Sequence, residues 1–203
     1  EAAGELAKEG DDARAQIMVP QVGSIEELNQ IKRIYNSIKP SVESKLGIKL
    51  QINFGTMLEV VRSCLTAEEI AKTAEFFSFG TNDLSQAVFS FSREDAEGKF
   101  LSEYLEKEIL RENPFQSVDV NGVGSLMKIA ISKGRKVRPH MEIGICGEHG
   151  GDPKSIAFFH KVGLSYVSAS AHRIPIAILA AAQAALTDKP RKKTKTKKKS
   201  KRR

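Results

Sequence analysis

The chain has 203 residues, 40% of them hydrophobic, and a formal net charge of +7. This length gives one domain with a substantial core. The sequence has no apolar stretch of about 18 residues, which excludes a membrane-spanning helix, and its two cysteines are too few for a disulfide framework or a four-cysteine zinc site.

Short segments with strand character alternate with segments with helix character along the chain. Strands are predicted at residues 17–20, 48–54, 76–79, 142–145 and 166–170. Helices are predicted at 25–38, 67–75, 101–110, 123–132, 153–162 and 175–186, and the region 88–119 is otherwise an irregular connection. Ser24 and Thr66 each begin a capping box, Pro40 is expected to end the first helix, and Gly134 is expected to cap the fourth.

The alternation of strands and helices predicts a parallel α/β fold. An open doubly wound sheet and a (β/α)8 TIM-type barrel both fit the pattern. On the barrel interpretation, the chain holds only the C-terminal portion, about five β-α units, and roughly three strands precede it. The sequence starts at Glu1 without a Met or a leader-like segment, which is typical of a cut inside a longer protein.

The chain ends in a strongly basic segment. Residues 189–203 contain eleven Lys or Arg and no acid, whereas the rest of the chain has 21 basic and 25 acidic residues. We therefore predict a globular domain over 1–187 and a Lys-rich, disordered tail over 188–203. The tail could attract nucleic acid or act as a nuclear signal, but it has no aromatic residue for base stacking, which disfavours nucleic-acid binding.

Two carboxylates follow successive predicted strands. Glu59 comes after the second strand and Asp83 after the third, and ligands of parallel α/β folds bind at the carboxyl ends of strands. Two acids from separate loops suit Mg²⁺, which completes its coordination with water and substrate oxygens. Each acid could equally be favoured by the positive end of a helix dipole, so the residues alone leave both interpretations open.

The segment Gly80-Thr81-Asn82-Asp83 offers backbone N–H groups, a hydroxyl and an amide at one strand end. Such a segment can hold a carboxylate or a phosphate, or it can be a simple Asx turn that starts the next helix.

The two cysteines differ in context. Cys146 lies beside Gly147, Glu148 and His149, where a thiol could exchange a proton with a substrate or be a small buried hydrophobe. Cys64 has only the second interpretation, and the role of His149 is open. Free cysteines fit a reducing compartment such as the cytoplasm, with an organelle also possible.

Four strings occur in a characteristic order: residues 17–20 (IMVP), 55–59 (GTMLE), 76–84 (FFSFGTNDL) and 144–151 (GICGEHGG). Together they resemble the C-terminal barrel of the phosphoenolpyruvate (PEP)-utilising enzymes. Residues 147–151 (GEHGG) and 173–177 (RIPIA) resemble the pyruvate, phosphate dikinases within that family. The resemblance covers residues 1–186.

The resemblance implies a phosphotransferase half-site that interconverts pyruvate and PEP on Mg²⁺ through an enolate. The overall reaction in such enzymes is ATP + phosphate + pyruvate = AMP + diphosphate + PEP. Glu59 and Asp83 would bind the Mg²⁺, and Cys146 would protonate the enolate carbon. The residues implied in substrate binding are Glu59, Gly80, Thr81, Asn82 and Asp83.

The same resemblance implies further domains and strands of the full enzyme that this sequence does not include. They are a nucleotide-grasp domain, a phosphohistidine domain and early barrel strands with phosphate-binding arginines. The chain alone is therefore expected to lack dikinase turnover, and the full enzyme is expected to be a homodimer without a membrane partner. The alternatives are a PEP synthase, an enzyme I of a sugar phosphotransferase system, or a nucleic-acid-binding protein that uses the basic tail on an inactive barrel.

Overall fold

The computed structural model describes residues 1–188, so all of the predicted tail except Asp188 lies outside the described residues. The described part contains one parallel sheet of five strands. The strands are β1 (Ala15–Val19), β2 (Ile52–Leu58), β3 (Phe76–Gly80), β4 (Glu142–Cys146) and β5 (Tyr166–Val167).

Ten α-helices accompany the strands within the described range, with short 3₁₀ turns at Glu148–Gly151 and Ala171–Arg173. They are α1 (Ala2–Lys8), α2 (Ile25–Leu46), α3 (Val61–Leu65), α4 (Ala67–Ile70), α5 (Thr81–Phe89), α6 (Arg93–Lys99), α7 (Leu101–Glu106), α8 (Val123–Val137), α9 (Pro153–Val162) and α10 (Ile174–Thr187). None of these helices is long and apolar enough to cross a bilayer.

Each strand pairs in parallel with the next one along the chain, in the order β1-β2-β3-β4-β5. A doubly wound sheet reverses its strand order at a switch point, whereas the wall of a (β/α)8 barrel keeps the chain order. The observed order therefore matches five consecutive units of a barrel, which confirms the predicted fold class.

The two faces of the sheet differ in polarity because strand side chains alternate between them. One face joins the main core, to which it contributes Phe54, Leu58, Phe77, Phe79, Ile143 and Ile145. On the opposite face, Ser78 lies beside Cys146, and Gln16 bonds to Glu142 at 3.2 Å. Polar and sulfur-bearing side chains thus lie on the face that a barrel encloses, together with the buried ring of Phe76.

Several predicted boundaries are wrong. Helix α2 continues through Pro40 to a left-handed cap at Gly47, and β2 extends to Leu58, so that the segment Gly55–Leu58 lies inside the strand. Thr66 does not form its capping box, since its hydroxyl donates to the carbonyl of Arg62. The last strand stops at Val167 rather than at residue 170.

Further corrections concern helices. Gly134 lies inside α8 rather than at its end, because α8 continues to Val137. The connection 88–119 is more helical than predicted: α6 was missed, and α7 ends at Glu106, four residues before the predicted end. Helix α1 was also missed.

Candidate active site

Glu59 and Asp83, the two predicted metal ligands, meet at a third residue, Gln21. The backbone N–H of Gln21 donates to Glu59 Oε1 at 2.7 Å, and its side-chain Nε2 donates to Asp83 Oδ2 at 2.9 Å. Glu59 directly follows β2, Asp83 lies in the first turn of α5, and Gln21 follows β1. Three consecutive parallel strands therefore bring both acids to the carboxyl edge of the sheet.

The environment of Glu59 favours a neighbouring positive charge. Its side chain is buried, with 7% of its surface exposed. Burial raises the pKa of Glu59, the hydrogen bond from the Gln21 N–H lowers it, and the negative charge of Asp83 raises it again. A cation between the two carboxylates would remove their mutual repulsion.

Two carboxylates from separate loops are a donor set that suits Mg²⁺. Within residues 1–188, no group of three or more His, Cys, Asp or Glu side chains is placed to hold a metal ion. Mg²⁺ commonly uses one or two carboxylates and takes its other ligands from water and substrate. Glu59 and Asp83 would provide the protein ligands of such an ion.

Gly80, at the carboxyl edge of the sheet, allows the side chains of Glu59 and Met57 to lie close to its backbone. A Cβ atom at Gly80 would lie 2.6 Å from Glu59 Oε2 and 2.7 Å from Met57 Sδ. Gly80 also pairs with Cys146 in the sheet register. The absence of a side chain at this position therefore leaves room for both the acid and the thioether.

The thiol of Cys146 lies next to this centre and is half-buried. Its Sγ atom is 4.0 Å from Met57 Sδ and 3.7 Å from the Phe79 carbonyl oxygen. The hydroxyl of Ser78 donates to the sulfur at 3.5 Å. The sulfur thus lies on the face that a barrel encloses, beside the strand end that carries Gly80.

The other cysteine has the environment predicted for it. Cys64 is buried in the main core, where desolvation raises the pKa of its thiol to about 12. It is therefore a protonated, hydrophobic side chain at neutral pH.

Thr81 and Asn82 both connect α5 to the loop after β4. The Thr81 hydroxyl is 2.8 Å from Nδ1 of the fully buried His149, and Asn82 Oδ1 accepts from the Glu148 N–H at 3.2 Å. These bonds occupy the Thr81 side chain and the Asn82 carbonyl. A ligand could use the backbone N–H groups of the first turn of α5, which lack intrahelical partners, and the Asn82 NH₂ group.

The protonation state of His149 follows from its two partners. Its Nε2 lies 2.9 Å from the carbonyl oxygen of Pro114, which can only accept a hydrogen bond. Nε2 therefore donates to Pro114, and Nδ1 accepts the hydroxyl proton of Thr81. Burial lowers the pKa of His149, so the ring is neutral at pH 7. It links the loop after β4 to Pro114 and to the start of α5.

A cavity of about 610 Å³ opens between the start of α5 and the loop after β4. Asn82 and Gly147 line it, together with Arg93 and Arg173. Glu59, Asp83 and Cys146 are not in its wall. Arg93 forms a 2.6 Å ion pair with Glu148, which attaches α6 to the loop after β4.

Sequence reasoning missed Gln21, Ser78 and Arg93 as parts of this region. Gln21 and Arg93 reach the site from loops and helices whose positions no local pattern encodes. For Ser78, a signal existed, because it is a polar residue in an otherwise aromatic strand.

Comparisons with known proteins show which family the sequence matches. A family model described as "PEP-utilising enzyme, PEP-binding domain" matches residues 4–186. The pyruvate, phosphate dikinase of Entamoeba histolytica is 53% identical over 185 residues, which cover 91% of this chain and 21% of that protein. The pyruvate, phosphate dikinase of Clostridium symbiosum is 52% identical over 190 residues, covering 93% and 22%. The chain thus spans about a fifth of the length of these curated relatives.

A solved structure supports the fold. A citrate lyase from Burkholderia xenovorans LB400 matches with a TM-score of 0.55 and 13% sequence identity, over 88% of this chain and 52% of that chain.

Proposed function

The chain belongs to the PEP-utilising enzymes through their PEP-binding domain, and on this basis we propose that it is the pyruvate and PEP half-site of a pyruvate, phosphate dikinase-type phosphotransferase. The observation that carries the proposal is the meeting of Glu59 and Asp83 at one edge of the sheet. The names of the relatives at 53% and 52% identity favour a dikinase over a PEP synthase or an enzyme I.

The proposed metal is Mg²⁺, held by Glu59 and Asp83. When bound, it supplies positive charge that offsets the negative charge developing on a substrate oxygen. The N–H groups at the start of α5, with Gly80 giving close approach, would hold the carboxylate of pyruvate or PEP. The free NH₂ group of Asn82 would donate a further hydrogen bond.

Cys146 is the proposed proton donor. Loss of the phosphoryl group from PEP leaves an enolate, and the methylene carbon of that enolate must gain a proton to give pyruvate. The thiol of Cys146 would give this proton and become a thiolate, which the Ser78 hydroxyl can stabilise by its hydrogen bond. In the reverse direction the thiolate would take a proton from the methyl group of pyruvate.

The remaining parts of the proposal concern the longer protein. Phosphoryl transfer would need a phosphohistidine domain, and the homodimer remains a prediction from resemblance. The cytoplasmic or organellar location remains a prediction from the free cysteines. Nucleic-acid binding would depend on residues 189–203, which lie outside the described range.

Binding of oxalate, a planar analogue of the pyruvate enolate, tests the half-site. We expect calorimetry to show Mg²⁺-dependent binding to the 203-residue chain, weakened about tenfold or more by Asp83→Asn. Asp95→Asn is the matched control, since Asp95 is also an acid in the first turn of a helix but lies on exposed α6. Oxalate binding that ignores Mg²⁺, or that survives Asp83→Asn, would contradict the proposed site.

A further inference from the structure

Gln21 has a backbone conformation that L-residues rarely adopt. It follows Pro20 at the end of β1, and its φ of 54° lies in the left-handed region. Within the described part of the chain, only Ser90 and Glu108 share a positive φ among residues other than glycine. A conformation of this kind is unfavourable for a side chain with a Cβ atom and persists when surrounding contacts hold it.

The contacts that accompany this conformation both involve acids. The backbone N–H reaches Glu59 Oε1 at 2.7 Å, and the side-chain amide reaches Asp83 Oδ2 at 2.9 Å. Hydrogen bonds to ionised carboxylates are stronger than those between neutral groups. Gln21 therefore fixes the orientation of two like-charged groups that would otherwise repel each other.

The bonding leaves the other oxygen atom of each acid available. Within residues 1–188, no hydrogen bond reaches Glu59 Oε2, although this atom is not sealed from solvent. In the same described range, Asp83 Oδ1 accepts only a long 3.4 Å contact from Gln86 Nε2. The two oxygens that Gln21 does not occupy thus keep lone pairs that could bind a cation.

We propose that Gln21 is a positioning residue that sets the divalent-cation affinity of the Glu59–Asp83 pair. It holds one oxygen of each carboxylate and leaves the second for the metal. This inference rests on the proposed function, because it takes the acid pair as the metal site. Hydrogen-bond partners of metal ligands are a general means of orienting them and tuning their affinity.

Gln21→Met tests the role, because methionine keeps the length of the side chain and lacks the amide donor. Mn²⁺, which takes similar oxygen ligands to Mg²⁺ and is visible by electron paramagnetic resonance, is the probe. We expect Gln21→Met to weaken Mn²⁺ binding to the 203-residue chain about 10- to 100-fold. The matched control is Gln16→Met, since Gln16 lies on β1 and donates to Glu142, a carboxylate outside the pair.

Circular dichroism and the urea midpoint of each variant separate metal affinity from folding. A second variant, Gln21→Leu, should show the same loss of affinity if the missing amide is the cause. Mn²⁺ binding that is lost in Asp83→Asn but unchanged in Gln21→Met and Gln21→Leu would overturn the role of Gln21 and leave the proposed function intact. A wild-type chain that binds no Mn²⁺ would overturn both.

Discussion

The imidazole Nδ1 of His149 lies 2.8 Å from the hydroxyl of Thr81, although the two residues are 68 positions apart in the chain. The ring is fully buried, and its second nitrogen bonds to the carbonyl of Pro114. The contact fixes the loop after β4 against the first turn of α5. His149 thus supports the edge of the sheet on which Asp83 lies.

The buried His149 predicts a pH-dependent stability. Burial lowers the pKa of the folded-state ring below its usual value of 6.5, so the unfolded chain takes up a proton that the folded chain does not. The contribution of His149 to the free energy of unfolding is fully present above pH 6.5. It falls as the pH drops towards the folded-state pKa, with a slope of up to about 1.4 kcal/mol per pH unit.

Urea denaturation between pH 7.5 and 5 measures this slope. We expect His149→Gln to lower the free energy of unfolding at pH 7.5 and to flatten its pH dependence, since glutamine does not titrate. His160→Gln is the control, because His160 lies near the surface beside Asp188. Equal slopes in the wild type and His149→Gln would show that the buried ring is not the source.

Gly80→Ala is predicted to disturb the acid pair. The φ of −87° at Gly80 is accessible to alanine, so the added Cβ acts through its contacts with Glu59 Oε2 and Met57 Sδ at 2.6 and 2.7 Å. Crowding of this kind costs about 1–3 kcal/mol of stability, and displacement of the carboxylate should weaken Mn²⁺ binding.

The matched control is Gly98→Ala on α6, where an added Cβ meets no atom within 4 Å. We expect it to stabilise the chain by about 0.5–1 kcal/mol, as alanine does in a helix, and to leave Mn²⁺ affinity unchanged. Calorimetry and Mn²⁺ titration of both variants provide the comparison. Metal affinity that changes equally at both positions would exclude a specific effect at Gly80.

The difference between Gly80 and Gly134 shows what the sequence can and cannot indicate. The strand end at Gly80 was predictable because a glycine follows a short aromatic run. Gly134 was wrongly predicted to cap a helix. It is instead required by tertiary packing, because a Cβ there would lie 2.7 Å from the Phe77 ring. Close packing of α8 on β3, rather than helix termination, requires that glycine.

Pro40 is a second case in which tertiary structure overrides a local rule. An interior proline costs a helix about 3 kcal/mol, yet α2 continues to Leu46, whose side chain is buried, and ends at the left-handed Gly47. Packing and capping beyond the proline offset the lost hydrogen bond. The prediction that the helix ends at residue 38 was wrong because a local rule for proline does not include this later packing and capping.

The sequence could predict that Glu59 and Asp83 lie near each other, but it could not predict the hydrogen bonds from Gln21 that hold them. Glu59 and Asp83 could be assigned to neighbouring strand ends from the alternation of elements alone. The contribution of Gln21 depends on a left-handed backbone at residue 21 and on contacts 38 and 62 positions away. No periodic pattern encodes such contacts.

Cys146→Ala is predicted to separate binding from proton transfer. With Mg²⁺ present, the chain should exchange the methyl hydrogens of pyruvate for solvent deuterium, and loss of the thiol should slow this exchange about 10²- to 10⁴-fold. Oxalate binding should persist, because the acid pair is intact. Proton NMR in D₂O measures the exchange rate.

Cys64→Ala is the matched variant for the loss of a thiol. Cys64 is buried in the core, so its replacement should lower stability but leave the exchange rate per folded molecule unchanged. Exchange that continues at the wild-type rate in Cys146→Ala would rule out the thiol as the proton donor.

An exposed apolar surface predicts self-association of the chain. Ile34 and Ile38 lie one turn apart on α2 and are 50% and 53% exposed, and they line a groove of about 340 Å³ with Ile17 of β1. In the described structure β1 pairs only with β2, so its other edge has free N–H and C=O groups. Apolar side chains beside an open strand edge favour association between chains.

Replacing Ile34 with Glu and Ile38 with Lys should reduce this association. The two charges are four residues apart in the favourable order for a helical ion pair, so α2 should remain folded while the groove loses its apolar lining. Sedimentation velocity should show the average mass of the variant moving towards the 22.3 kDa of the monomer. Ile129→Glu, at a 41%-exposed isoleucine on α8, should leave the distribution unchanged, and an equal shift in that variant would mean that general surface charge, rather than the α2–β1 groove, controls association.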